Sequence, residues 1–399
     1  MKVEHLNTKN FYEALKIVGN AIPNKSAMPI LTNVSLKFKN DKIIILGSDG
    51  TTAIKKVLFD TSDFTTKEEG NALVDYKTLV LIFSKLSMNI TTLYKEGNQL
   101  VIENGKSVYR LNYADESLYP NIDFKKLDNE FSISTNELKN VINKLSICCA
   151  TNSNKPILTG VNFKSLADGL CCVSTDALRL GKYLITNAEN TKNEFEFTFP
   201  FQSLTSLGKI IEKTKQEKIS VLYGSNNNDI LINVDETLYK TRLLDGKYPD
   251  TSRLIPASFP YVVEVDRQEI LRAVERISVL SNKSDVAPVI KLSFDKNSLT
   301  LSSLDNYIGN AKEVIDVNCD FELSLAVSST YLTQALSTFD YEKVKFNLQN
   351  EVRPFIITDG ITSLIQLLLP VKSEWWYGDY TRWNKRRYSR LAINYGLWR

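Results

Sequence analysis

Pro29-Ile30-Leu31-Thr32-Asn33-Val34 returns 127 residues later as Pro156-Ile157-Leu158-Thr159-Gly160-Val161. A weaker third copy, Pro288-Val289-Ile290-Lys291-Leu292, follows after another 132 residues. Outward from these hexads the same spacing recurs in unrelated markers. Asn24-Lys25-Ser26 stands upstream of the first copy, Asn154-Lys155 of the second and Asn282-Lys283-Ser284 of the third. Downstream, a β-rich run ends in Asp each time: Ile43 to Asp49, Cys171 to Asp176 and Leu299 to Asp305. Tyr119-Pro120 and Tyr248-Pro249 lie 129 residues apart. Shared periods of this length mark repeated structural units rather than chance. The 399-residue chain therefore reads as three tandem units over residues 1–125, 126–255 and 256–372, followed by a segment of different character at 373–399.

Each unit carries the same internal pattern. A helical segment opens it, over residues 8–21, 135–150 and 266–280. In the first, Phe11, Leu15 and Val18 form one apolar face at i, i+4 and i+7. Thr8, Thr135 and Asp266 suit the N-cap positions, with Glu137 and Glu269 in the first turns. Strands follow, such as the alternating Val34-Ser35-Leu36-Lys37-Phe38. A second helix is expected over 75–86, 201–213 and 328–339. Strands then close the unit, among them Leu231 to Val234 and Leu364 to Leu368. This is an α+β pattern with antiparallel pairing.

Composition bounds the function. Hydrophobic residues make up 43% and charged residues 24% of the chain, as in an ordinary globular protein. No apolar run reaches 18 residues, and the polar stretch from Met1 to Asn10 has no signal-peptide core. Cys148-Cys149 and Cys171-Cys172 are adjacent pairs and Cys319 is the odd fifth, which points to reduced thiols in a cytosolic chain. The net charge of +3 is unevenly placed: residues 375–399 hold six basic groups against one acidic, leaving the rest at −2. All four tryptophans (Trp375, Trp376, Trp383 and Trp398) lie in that same segment. A body this close to neutral does not grip nucleic acid by bulk charge.

Enzymatic chemistry finds little support. The single histidine, His5, would have to meet Cys148 or Cys171 to activate a thiol. Apolar flanks at Ile147, Leu170 and Val173 read instead as buried, inert cysteines. Neither a zinc-ligand spacing nor a phosphate-binding glycine loop occurs. Asp49, Asp176 and Asp305 occupy one place in three repeats, which fits turn capping better than a shared metal. Catalytic residues, metals and cofactors are thus all expected to be absent. A repeat-built scaffold is one non-catalytic reading.

Three segments carry a more specific signal: Lys25-Ser26-Ala27-Met28-Pro29-Ile30-Leu31-Thr32-Asn33, Thr175-Asp176-Ala177-Leu178-Arg179-Leu180 and Asp245-Gly246-Lys247-Tyr248-Pro249-Asp250. With Leu367-Leu368-Leu369-Pro370-Val371-Lys372, their order and spacing over residues 1–372 resemble the bacterial sliding clamp, the β subunit of the replicative DNA polymerase. The resemblance implies two protomers joined head to tail in a ring of six similar domains, helices facing the hole and antiparallel sheets outside. Such a ring encircles duplex DNA topologically and slides without reading sequence. A clamp loader opens it, and the replicative polymerase and other partners dock through a short hydrophobic peptide.

The resemblance also names residues. Lys25 matches a basic position that touches DNA. Helix cations Lys9, Lys16, Lys77, Lys85, Lys139, Lys144, Lys209, Lys213, Arg267 and Arg272 are candidates to face it. Weak, screened contacts would guide the ring, whereas strong ones would stop it. The peptide pocket is implied between the second and third units. Leu158, Thr175, Ala177, Leu178, Leu180, Pro249, Arg253 and Leu254 form one wall, and Ser328, Tyr331, Leu368, Leu369, Pro370 and Val371 the other. Ala177 and Leu178 stand where the family commonly has Gly and His, which reshapes the pocket. Two readings stay open for 373–399: an added nucleic-acid- or partner-binding segment, since basic and aromatic residues interleave there, or a disordered extension foreign to the fold.

Overall fold

The computed structural model describes residues 1–59, 63–167, 169–186, 188–189, 194–224, 228–280, 288–303 and 309–371. Asp305, Lys372 and the segment 373–399 lie outside the described residues, and so does the Asn282-Lys283-Ser284 copy. The described residues form two compact units: those of 1–139 with 202–243, and those of 140–201 with 244–371. These do not coincide with the three sequence repeats, because the middle repeat contributes to both.

Six helices occur among the described residues: α1 (Thr8–Val18), α2 (Tyr76–Phe83), α3 (Thr135–Leu145), α4 (Phe201–Ile211), α5 (Arg267–Ser278) and α6 (Ser329–Leu336). They fall as two per repeat, as expected, each shorter than its sequence signal. The lost turns of the first and third are 3₁₀ segments, Gly19–Ala21 after α1 and Ser146–Cys148 after α3. Phe11, Leu15 and Val18 are fully buried on α1. The caps of α1 and α3 differ from expectation by one residue. Asn7 accepts the Asn10 N–H at 3.1 Å, and Ser134 accepts the Glu137 N–H at 3.1 Å. In both cases a strand runs straight into the helix, so its last residue is the cap. Thr8 and Thr135 are buried, and their hydroxyls bind Thr91 and the Gln216 carbonyl. Asp266 caps α5 through the Glu269 N–H at 2.7 Å, as expected.

The first unit holds a 13-stranded antiparallel sheet. Its seam joins two repeats: Thr237–Arg242 pairs with Thr52–Phe59, with Tyr239 opposite Ile54. Fully buried Tyr239 donates to the Ser203 carbonyl at 2.7 Å. The Thr52, Thr241 and Ser203 hydroxyls satisfy one another beside it, at 2.9–3.0 Å.

The second unit repeats this device. Its eight-stranded sheet is joined where Arg179–Ile185 pairs with Ile365–Leu368, Leu180 opposite Leu367. A four-stranded sheet runs Lys312–Asp316, Ser298–Ser303, Val289–Asp295 and Leu323–Ser328. Each side chain on these strands alternates between faces, which is why core and site residues interleave along them. No helix of the described residues is long and apolar enough to cross a membrane.

Candidate functional site

The site grows from one turn, Thr175 to Arg179, at the end of the seam hairpin. Asp176 Oδ1 accepts the N–H groups of Leu178 and Arg179 at 2.9 and 3.0 Å. The Thr175 hydroxyl donates to the Arg179 carbonyl and accepts the Ala177 N–H at 3.1 Å. The first repeat has the same lattice: Asp49 accepts from Thr51 and Thr52, and Ser48 donates to the Thr52 carbonyl and accepts from Gly50. These aspartates cap turns, as expected. The third residue of each turn is left-handed, Gly50 at φ 93° and Ala177 at φ 75°.

The turn also holds Arg179 in place. Its Nε lies 2.9 Å from Asp176 Oδ2, a terminal nitrogen donates to Gln334, and its guanidinium stacks 4.3 Å from the Tyr331 ring. Burial pushes the Asp176 carboxyl above its ordinary range, against the opposing pull of Arg179 and the two turn N–H groups. Beneath lies an apolar cluster of Ala150, Ile157, Leu158, Val173, Leu180, Tyr248, Ile356 and Leu367.

Above this cluster opens a cavity of about 580 Å³, a size that suits a few side chains of a bound peptide. Leu178, Leu180, Leu254, Leu367 and Leu369 supply its apolar wall, with Ala177, Pro256, Ala257, Pro260 and Pro354. Thr175, Arg179, Arg253, Gln349, Asn350 and Arg353 supply its polar groups.

Of the expected wall, the structure brings Thr175, Ala177, Leu178, Leu180, Arg253, Leu254 and Leu369 to the cavity. The others stand elsewhere. Leu158 is 3% exposed in the cluster below. Leu368 is buried and faces the opposite side from Leu367 and Leu369, since strand side chains alternate. Ser328 caps α6 by accepting the Tyr331 N–H, and Tyr331 lies behind Arg179. Val371 donates to the Ala326 carbonyl at 2.8 Å, fixing the strand exit, and Pro370 is buried beside it. Pro249 is half-buried outside the lining. The sequence reading missed the segments 256–260 and 349–354. Only the Asn350 turn and the Arg353-Pro354 step gave a signal there, and neither has a repeat partner to flag it.

The expected DNA-facing cations divide by partnership. Lys9, Lys25, Lys77, Lys85, Lys209 and Arg272 are exposed, with no acidic partner among the described residues. Lys16 and Lys213 both pair with Glu13, at 2.5 and 3.4 Å, and the Lys16 ammonium holds the Glu13 carboxyl below its usual range. Lys139 donates to the Glu212 carbonyl and Arg267 to the Tyr341 carbonyl. Lys144 is a correction: it is 7% exposed and its ammonium sits 2.7 Å from Asp340. Its aliphatic stem is covered by packing and only its tip reaches a partner. Burial raises the Cys148 thiol far above its ordinary value and pushes Cys149 up to about 12, which disfavours a thiolate at either.

Comparisons with known proteins agree with this anatomy. The chain matches the N-terminal domain of the DNA polymerase III beta subunit over residues 2–123, its central domain over 132–250 and its C-terminal domain over 252–372. A beta sliding clamp of Staphylococcus aureus is 31% identical over 374 residues, covering 91% of this chain and 97% of that protein. One from Streptococcus pneumoniae is 29% identical over 378 residues, covering 92% and 98%. The crystal structure of the Bacillus subtilis sliding clamp superposes with a TM-score of 0.86 at 28% identity, covering 94% of this chain and 99% of that one. The Streptococcus pyogenes beta subunit gives a TM-score of 0.87 at 27% identity, with 94% and 100% covered. With all three domains matched in order over almost the whole described chain, the protein belongs to the DNA polymerase III beta-subunit family, the bacterial sliding clamps, which are non-catalytic processivity factors.

Proposed function

We propose that this chain tethers a replicative DNA polymerase to duplex DNA as a homodimeric ring, and that partners seat a short hydrophobic peptide in the cavity above Leu180 and Leu367. The observation that carries the docking role is that cavity, walled by five leucines from two repeats and held open by the Asp176 turn. An apolar slot with few polar anchors suits Leu and Phe side chains of a linear motif. Lys9, Lys25, Lys77, Lys85, Lys209 and Arg272, exposed and with no acidic partner among the described residues, supply weak phosphate contacts that guide the ring without stopping it. The domain bounds that fit are 1–125, 126–255 and 256–372, and a clamp loader supplies the opening. Five free cysteines support a cytoplasmic location.

Two free strand edges support head-to-tail closure. Ser107–Ala114 pairs with Gly70–Asp75 only at its last residues, which leaves the edge around exposed Val108 and Tyr109 open. Lys312–Asp316 is the outer strand of its sheet, with Val314 exposed. Long bare edges invite pairing with another chain, and a heterologous contact that closes makes a ring.

Light scattering on the full chain and on residues 1–374 tests the ring. A mass near twice the 45.3 kDa chain is expected for both. Monomers of both forms at tens of micromolar would overturn closure and favour the scaffold alternative.

A further inference from the structure

Beyond the seating of an apolar peptide, the cavity carries an unused charge asymmetry. Its lining contains three arginines and no aspartate, glutamate or lysine. Arg179 is spent on Asp176, Gln334 and Tyr331. Arg253 and Arg353 are exposed, and among the described residues neither guanidinium makes a close ion pair or hydrogen bond, although the Asp250 carboxylate lies near enough to feel the Arg253 charge.

Both are presented by rigid turns. Asp250 accepts the Ser252 N–H at 2.9 Å, and the Leu254 N–H closes onto Thr251, which sets the Arg253 backbone. Asn350 accepts the N–H groups of Val352 and Arg353 at 3.1 and 2.8 Å. Pro354 restricts the backbone of Arg353 to the extended region. Two arginines with backbones so set stand at a leucine-lined slot and give its rim positive charge, and guanidinium is well matched to carboxylate.

Resting on the reading that the cavity takes a peptide, we propose that Arg253 and Arg353 select partner motifs whose leucine and phenylalanine side chains are flanked by carboxylates. The rim sets which motif is preferred and how fast it arrives, while the leucines set whether a motif binds at all. Exposed pairs of this kind are modest and salt-sensitive.

The test uses the full chain and fluorescence anisotropy with labelled peptides of core Leu-Ser-Leu-Phe, flanked on both sides by Asp, Asn or Lys. At about 50 mM salt the Asp peptide should bind roughly fivefold tighter than the Asn peptide, and the Lys peptide weakest, the difference shrinking to within about twofold at about 500 mM. In R253Q/R353Q the Asp and Asn peptides should bind alike, so the ratio of their affinities, and not either affinity alone, reads the rim. Ala257→Trp, which places an indole at an exposed position on the cavity wall, should abolish all three. Equal binding of the three peptides, all blocked by Ala257→Trp, would leave the cavity reading intact and overturn the rim. Binding that survives Ala257→Trp, or none at all, would overturn the cavity reading and the rim with it.

Discussion

Ala177 and Gly50 hold one place in one turn, in two repeats, and differ by a methyl group. Both backbones are left-handed, at φ 75° and 93°. A Cβ in that region is strained by about 1–2 kcal/mol, whereas glycine adopts it freely. At Gly50 an added Cβ would meet only Leu31 Cδ1 at 3.7 Å, so the penalty there is torsional rather than steric. Ala177→Gly should therefore stabilise the fold by about 0.5–1 kcal/mol, after glycine's extra unfolded-state entropy is set against the released strain. Gly50→Ala should destabilise it by a similar amount, about 0.5–1 kcal/mol, by the same balance in reverse. Urea midpoints at unchanged m-value check both, and shifts of the opposite sign would show that the two turns are not equivalent. The recurring Asp made this turn legible in the sequence. That Ala177 is strained was visible only against the observed dihedral.

At the scale of elements, the seam strand Ile365–Leu368 shows how one residue ties several segments together. Gln366 is fully buried, opposite Gly181 in the ladder. Its amide donates to the Lys144 carbonyl at 2.9 Å and to the Thr338 hydroxyl at 3.2 Å, and its carbonyl accepts from the Cys148 thiol. A Cβ at Gly181 would meet Leu145 Cδ2 at 2.9 Å, so a side chain there would require that leucine to shift. Gln366→Leu keeps the volume but removes the donor to the Lys144 carbonyl and to Thr338, whose hydroxyl still donates to the Ala335 carbonyl. A loss of about 1–3 kcal/mol is expected, read as a lower denaturation midpoint; an unchanged midpoint would mean water replaces the amide. Alternation along Leu364 to Leu369 was readable, and so was its strand. Which register faces the cavity was not: Leu368, which the family resemblance named as a wall residue, faces away, and Leu367 lines the cavity.

For the whole molecule, burial of neutral acids ties stability to alkaline pH. Burial pushes Cys149 and Tyr119 up to about 12, and Cys148, Tyr239 and Tyr248 further still. Ordinary values for these thiols and phenols are 9.0 and 10.0. Because each folded-state value is raised, the contribution is fully present below about pH 9. It is lost as pH climbs towards 12, where the unfolded chain ionises and the native one does not. Every such group costs about 1.4 kcal/mol of stability per pH unit once its unfolded form is ionised. Urea midpoints should be flat from about pH 7 to 9 and then fall steeply, and Tyr248→Phe should soften the fall. A flat profile to pH 11 would show that these groups are hydrated in the native state.

The repeat was written in the sequence because duplicated units keep their turn chemistry: the Pro-Ile-Leu-Thr hexads, the capping aspartates and the Tyr-Pro steps recur wherever the same backbone must be made. Amphipathic periods likewise announced all six helices, since a buried face needs its apolar residues at fixed spacing. Pairing between repeats left no such mark. That Thr237–Arg242 joins Thr52–Phe59, and Arg179–Ile185 joins Ile365–Leu368, is decided by edges more than a hundred residues apart, so the middle repeat is divided between two compact units. Arg353 reaches the cavity of Arg253 by the same long-range closure, and no local pattern in either segment could have told of the other.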